Sequence, residues 1–212
     1  MIPIAGVQQF TTIDFPGALS CVLFTQGCPW KCRYCQNVEL QPFVSSCSAN
    51  VSWLEVHKFL RSRKSFLDAV VVSGGEPTAH KMLPEALSEI RSLGYKVGLH
   101  SAGIYPERFK CALPFVDWVG FDLKAPLDER YDKITQIKNS AEAVRKSVEI
   151  LLESGVAAQY RCTFHPLLLT EASLQELRSF LVAKGVKSPL VIQKFRSQGC
   201  QDVQLNEKVA VL

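Results

Sequence analysis

The sequence contains no apolar run approaching the ~20 residues that a membrane-spanning helix needs. Its opening, Met1-Ile2-Pro3-Ile4-Ala5-Gly6, lacks the charged start and long apolar centre of a secretory leader. A soluble, cytoplasmic protein with no membrane partner is therefore expected. There is no excess of one charge either: the net charge is +4, with Lys and Arg scattered and not gathered into a stripe, so a nucleic-acid partner is not expected. Internal repeats and low-complexity tracts are also missing, and Pro and Gly punctuate short apolar runs where a single long linker would concentrate them. What is present is a chain of 212 residues, 47% hydrophobic and 21% charged, long enough for one good core but short for two ordinary domains. One domain over 1–212 is expected.

The apolar runs alternate in type. Strand candidates are Leu19 to Thr25, Ala69 to Ser73, Lys96 to Ser101, Trp118 to Leu123, Ala157 to Phe164 and Leu190 to Gln193, most of them rich in Val, Leu or Phe. Between them lie helical patterns. Ser52-Trp53-Leu54-Glu55 has the form of a capping box, followed by Val56, Phe59 and Leu60 on one face, and Leu83, Leu87 and Ile90 repeat that spacing. Val144, Val148, Leu151 and Leu152 form a stripe that Gly155 ends, and Leu174, Leu177 and Leu181 form another before Gly185. Six strands alternating with helices imply an α/β fold with a parallel sheet, open or a partial barrel, in which ligands gather beyond the carboxyl ends of the strands.

Strand alternation then sorts side chains by face. Asp122 goes with Gly120 and Lys124, His100 with Gly98, and Arg161 with Gln159 and Thr163, so polar groups recur at strand ends. If that face is interior, these charges must pair with one another or with a charged ligand, because an isolated buried charge is costly.

The eight cysteines do not read as a disulfide framework, since a chain of this size needs no staples and three of them, Cys28, Cys32 and Cys35, crowd into eight positions. They follow the first strand candidate, where a parallel α/β fold places active-site loops. Three thiolates spaced CxxxCxxC on a loop can take three corners of an iron–sulfur cubane and leave one iron open. Zinc sites usually need four ligands, and Cys47 is the residue that could complete one. Cys21, Cys111, Cys162 and Cys200 read as buried or tail residues. A second motif, Ser73-Gly74-Gly75-Glu76-Pro77, follows the second strand candidate; its glycines allow the backbone close to a ligand, and Glu76 can accept hydrogen bonds from an ammonium group.

With an aromatic residue, Tyr34, just before the last of the three cysteines, the chain resembles the radical S-adenosylmethionine (SAM) superfamily. The resemblance implies a partial TIM-like (β/α)6 barrel, a 4Fe-4S cluster on Cys28, Cys32 and Cys35, and SAM as the second cofactor, cleaved reductively to a 5′-deoxyadenosyl radical. It further implies that Tyr34 packs near the adenine, that Gly74, Gly75, Glu76 and Pro77 bind the methionine amino group, and that Asp122, Lys124 and Arg161 surround the cofactor, with His100, His165 and Gln193 nearby.

The similarity extends through Thr12 to Gly17, Phe24 to Cys28, Asn37 to Leu40, Asp122 to Lys124, Arg161 to Thr170 and Gln193 to Arg196. These segments resemble the short activating proteins of anaerobic ribonucleoside-triphosphate reductase, related to pyruvate formate-lyase activating enzyme. The implied partners are a glycyl radical enzyme and a low-potential electron donor such as flavodoxin or ferredoxin. The chain departs from that pattern at three places: His100-Ser101-Ala102-Gly103 stands for the usual Asp-Thr-Asn-Gly, Gln36 for a His after the third cysteine, and a Gly common after the Tyr131 segment is replaced near Gln136. Two other readings compete. One is a small-molecule radical enzyme resembling 7-carboxy-7-deazaguanine synthase, which should show an enclosed polar pocket where an activating enzyme should show an open lateral mouth. The other is a non-catalytic metal-binding or electron-transfer module, for which a fourth cysteine ligand would be diagnostic.

Overall fold

The computed structural model describes residues 1–44 and 51–209; Cys47, the suggested fourth ligand, lies outside them. Seven strands form one sheet in simple chain order: β1 (Ile4–Thr11), β2 (Ser20–Thr25), β3 (Ala69–Gly74), β4 (Lys96–Ser101), β5 (Trp118–Asp122), β6 (Ala157–Phe164) and β7 (Val191–Lys194). β1 runs antiparallel to β2, and every later pair is parallel. β1 and β7 are the two edges and do not meet, so the sheet is a partial TIM-like barrel, open at the side.

All six strands expected from sequence are present. β1 was not foreseen, because its stretch IAGVQQFT has neither a continuous apolar run nor regular alternation, and it buries only its ends well. Its pairing with β2 is what holds it as an edge strand.

The connections are α1 (Trp53–Arg63), α2 (Leu83–Ser92), α3 (Pro106–Ala112), α4 (Glu129–Thr135), α5 (Ser140–Ser154) and α6 (Glu171–Ala183), with α7 (Val203–Val209) after the last strand. The capping box before α1 is real: Ser52 Oγ accepts from the Glu55 N–H, and the Glu55 carboxylate accepts from the Ser52 N–H. α5 ends on Gly155 at φ +69°, as its sequence implies. α3, α4 and α7 are of seven residues each, too short to carry a periodic signal, and escaped the sequence reading. At the end of α4, Gln136 occupies the left-handed region at φ +59°, so the backbone keeps the turn that a glycine would make without strain.

Alternation along the strands sorts side chains as the sequence suggested. Cys21, Leu23, Val70, Val72, Val97, Leu99, Val119, Phe121, Tyr160 and Cys162 face the helices and join Val56, Leu87, Val144, Val148 and Leu177 in the main core. On the opposite face, Val22, Val71 and Trp118 pack with Phe15 and Ala69 into a small apolar floor. Nearer the carboxyl ends of the strands this face turns polar: Ser73 on β3, His100 on β4, Asp122 on β5, Arg161 and Thr163 on β6 and Gln193 on β7 open on one cavity. The floor closes the amino-terminal end of the barrel and the cavity lies at the carboxyl end.

Candidate active site

The cysteine loop leaves β2 through Gly27, whose φ of +102° a side chain would resist. It has almost no regular structure and is held by outside groups. Cys28 N–H donates to Gln41 O at 2.9 Å, Lys31 N–H to Thr135 O at 3.0 Å and Arg33 N–H to Ile134 O at 3.1 Å. Trp30 is buried with its ring edge-on to Tyr131 at 5.8 Å, which pins the loop onto α4. The three thiols are free and all reach one cavity of about 510 Å³, within the range of small-molecule sites. Among the described residues no three His, Cys, Asp or Glu side chains gather closely enough for a single metal ion. Three cysteine thiols on one roomy cavity match the donor set of a 4Fe-4S cluster that keeps one iron open.

Burial holds two of these thiols in their protonated form. Burial, with the Glu76 carboxylate adding to it, pushes the Cys28 thiol up to about 12, and burial pushes Cys32 up to about 11 against the pull of Lys124. Binding to iron must therefore displace these protons. The Lys124 ammonium faces the loop: although burial alone would lower its pKa, Cys32, Asp122, Tyr131 and Cys28 hold it above its ordinary value. It lies 5.7 Å from the centre of the Tyr34 ring. Tyr34 is buried and lines the cavity wall.

The Gly74-Gly75 turn also lines the cavity, and its glycines meet a packing requirement besides the one the sequence suggested. A Cβ on Gly74 would lie 2.2 Å from Thr25 N, and one on Gly75 would lie 2.3 Å from Gly27 O. The close approach is to protein backbone, and Glu76 N–H donates to Gly27 O at 2.9 Å in the same contact. The glycines bind the β3 turn to the start of the cysteine loop.

Glu76 likewise has a different setting from the one expected. It is 2% exposed, and its Oε1 accepts from Thr78 N–H (3.0 Å), Thr78 Oγ1 (2.6 Å) and Ser101 Oγ (2.7 Å), while Oε2 accepts from Ala102 N–H (2.9 Å). Most of its acceptor capacity is spent tying the β3 turn to the β4 turn, which leaves little for an ammonium ligand. Pro77 begins a buried 3-10 turn and does not line the cavity. His165 does not line it either; it turns to the carbonyl of Leu205 at 3.1 Å.

Asp122, His100 and Arg161 form one network. Arg161 Nε donates to Asp122 Oδ1 at 2.8 Å, Nη2 donates to Gly120 O at 3.3 Å, and Nη1 lies 3.2 Å from His100 Nε2. Burial raises the Asp122 pKa, but the Arg161 and Lys124 cations more than offset it and hold the carboxyl below its usual range. Burial and the Arg161 guanidinium push His100 down, so its ring is neutral. The same Nε2 is 3.1 Å from Asp14 O, and one nitrogen cannot donate there and accept from Arg161 at once, so the ring has two competing tautomers. Gly120 makes the crossing possible: a Cβ there would sit 2.8 Å from both Arg161 Cζ and His100 Cδ2. Sequence reasoning placed Asp14 in a matching segment but not in the site, and missed Ser101 as a partner of Glu76. These contacts join residues 86 and 25 positions apart, and no local pattern announces them.

An open parallel barrel with free thiols on the first β–α loop and a charged cavity over the strand ends defines a class of cofactor-dependent α/β-barrel enzymes. The model of the radical SAM superfamily matches residues 22–181, more than half of the chain, and the chain belongs to that superfamily. Its members use a 4Fe-4S cluster and SAM.

A protein of Methanocaldococcus jannaschii named for the activation of glycyl-radical enzymes is 27% identical over 216 residues, covering 96% of this chain and 84% of that one. One of Haemophilus influenzae with the same naming is 34% identical over 125 residues, and the pyruvate formate-lyase-activating enzyme of Staphylococcus aureus is 30% identical over 147. Those two alignments cover 58% and 64% of this chain and only 47% and 58% of the relatives, about half their length. Among solved structures, Streptococcus suis SuiB bound to SAM has a TM-score of 0.66 at 15% identity, covering 87% of this chain and 45% of that one. QueE from Escherichia coli has 0.52 at 14%, covering 91% and 93%. These likenesses establish the fold. No helix among the described residues is long and apolar enough to cross a membrane.

Proposed function

We propose that this chain is an oxidoreductase of the glycyl-radical activating type, acting on a glycine of a partner enzyme such as an anaerobic ribonucleotide reductase. Cys28, Cys32 and Cys35 would hold the cluster. When bound, it supplies the electron that cleaves SAM and so provides the 5′-deoxyadenosyl radical that removes hydrogen from that glycine. The electron would come from a low-potential carrier such as flavodoxin or ferredoxin.

One observation carries the reading: a single cavity unites the three thiols with Lys124, Asp122 and Arg161 at the mouth of a barrel that is open at its side. The Lys124 ammonium offsets the negative charge that three thiolates bring. Arg161 uses three of its five N–H groups on Asp122, Gly120 and His100, which leaves two for a ligand carboxylate. Tyr34 offers a buried face to an adenine. The open edge between β1 and β7 suits a polypeptide loop, and the names of the sequence relatives point the same way.

The test is anaerobic reconstitution with iron and sulfide, followed by dithionite and SAM. We expect 5′-deoxyadenosine and methionine, and, with a matching partner, a glycine-centred radical in the electron paramagnetic resonance spectrum. A well-formed cluster that gives no cleavage would defeat the assignment. The second reading, a small-molecule radical enzyme, is favoured by one observation: the polar-lined cavity, at about 510 Å³, has the size of a small-molecule site. Radical transfer to a small substrate with no glycine radical on any partner would select it.

A further inference from the structure

The cysteine loop is gripped from two sides. α4 bonds to its backbone on one, and the C-terminal segment closes on the other. Arg33, between the second and third cysteines, donates from Nε to Asp202 Oδ2 at 2.8 Å and from Nη2 to Gln204 Oε1 at 3.3 Å. Gln36, next to the third cysteine, donates from Nε2 to Arg196 O at 2.8 Å. The Cys200 thiol donates to Arg33 O at 3.4 Å, and a Cβ on Gly199 would lie 2.0 Å from Gln36 O, so the two backbones are in direct contact.

The gripping segment is itself anchored. Leu205 is fully buried, its carbonyl takes the His165 Nε2 proton at 3.1 Å, and His165 in turn meets the ring of Phe195 edge-on at 5.0 Å. Asn206 Nδ2 donates to Cys200 O at 2.9 Å and folds the segment back on itself. Cys200 and Asp202 do not line the cavity, and the whole segment lies beyond residues 22–181, the stretch that matches the family model.

We propose that residues 196–206 are a latch for the cluster, with Asp202 acting through Arg33 as a positioning residue. The inference rests on the reading of Cys28, Cys32 and Cys35 as ligands. An irregular loop loses conformational entropy when three of its thiolates are fixed on iron, and a clamp that orders the loop beforehand lowers that loss. Latch and cluster are then linked: a closed latch strengthens the hold on the cluster, and a loaded cluster favours the closed latch by the same free energy. Arg33 and Asp202 are 31% and 16% exposed, so their attraction is only partly screened by water.

The experiment uses the full chain, reconstituted anaerobically, and follows the loss of the cluster's visible absorbance after an iron chelator is added. D202A and R33A should each lose the cluster about fivefold faster than the wild type. The exchanged pair R33D/D202R should return toward the wild-type rate. E149A, which breaks an exposed pair with Lys184, should not change it. Limited proteolysis of the wild type gives a second readout that needs no variant: cleavage within 196–206 should be slower with the cluster loaded than without it. Equal chelation rates for D202A, R33A and wild type would overturn the latch. If those variants do not fold, equal cleavage of loaded and unloaded wild type would overturn it. The outcome is separate from the proposed function: a latched cluster that never cleaves SAM defeats the function and leaves the latch standing, while active protein with no change in retention does the reverse.

Discussion

Replacing Glu76 with glutamine separates two roles for the most buried carboxylate of the site. As a ligand for an ammonium group, Glu76 would matter only when SAM is bound. As the structure has it, Glu76 joins two turns of the protein through four accepted hydrogen bonds. In the better of its two orientations, the glutamine amide keeps its oxygen toward Thr78 and Ser101 and turns its NH2 toward the Ala102 N–H, so that donor faces donor. A bond to a charged acceptor is worth about 1.5–3 kcal/mol, and a buried N–H left unpaired costs about 1–3 kcal/mol. The three surviving bonds also lose their charge assistance. A destabilisation of about 3 kcal/mol or more follows, and for a chain of this size each kcal/mol shifts Tm by about 2–4 °C. The E76Q protein, free of iron and SAM, should therefore melt about 6–12 °C below the wild type, measured by circular dichroism. If it melts with the wild type and only SAM binding is lost, the structural role assigned to Glu76 is wrong.

Three further outcomes follow from the site. Cys28→Ala, Cys32→Ala and Cys35→Ala should each abolish both cluster assembly, read by iron and sulfide content, and SAM cleavage; retention of both in Cys32→Ala would refute the ligand set. Gly120→Ala should unseat Arg161, at about 1–3 kcal/mol for the overpacking, and weaken SAM affinity by about tenfold or more in calorimetry while the cluster still assembles. Finally, His100 is held neutral by burial and Arg161, below its ordinary 6.5. Below that pH the unfolded chain takes up the proton and the native chain resists it, so stability should fall as pH drops from 7 to 5. His100→Asn should flatten that fall by about 2 kcal/mol, judged from urea midpoints at the two pH values, and an unchanged pH slope would remove His100 from the account.

The chemistry could be read in the chain because its groups are close in sequence. CxxxCxxC and Ser73-Gly74-Gly75-Glu76-Pro77 are each contiguous, six apolar runs separated by helical stripes imply a parallel sheet, and parity groups Asp122 with Lys124 and Arg161 with Thr163 within their strands. Tertiary structure decided what each group does there. It showed that Gly74 and Gly75 make room for the backbones of Thr25 and Gly27, that Glu76 is occupied by Thr78, Ser101 and Ala102, and that Pro77 and His165 stand outside the cavity. It also added β1 and the clamp of Asp202 on Arg33, 169 positions away. The division has a physical cause. Periodicity and motif spacing report only which face of an element a residue takes, whereas hydrogen-bond partners are settled when the barrel curves and brings neighbouring strand ends, and finally the C-terminal segment, within reach of one another.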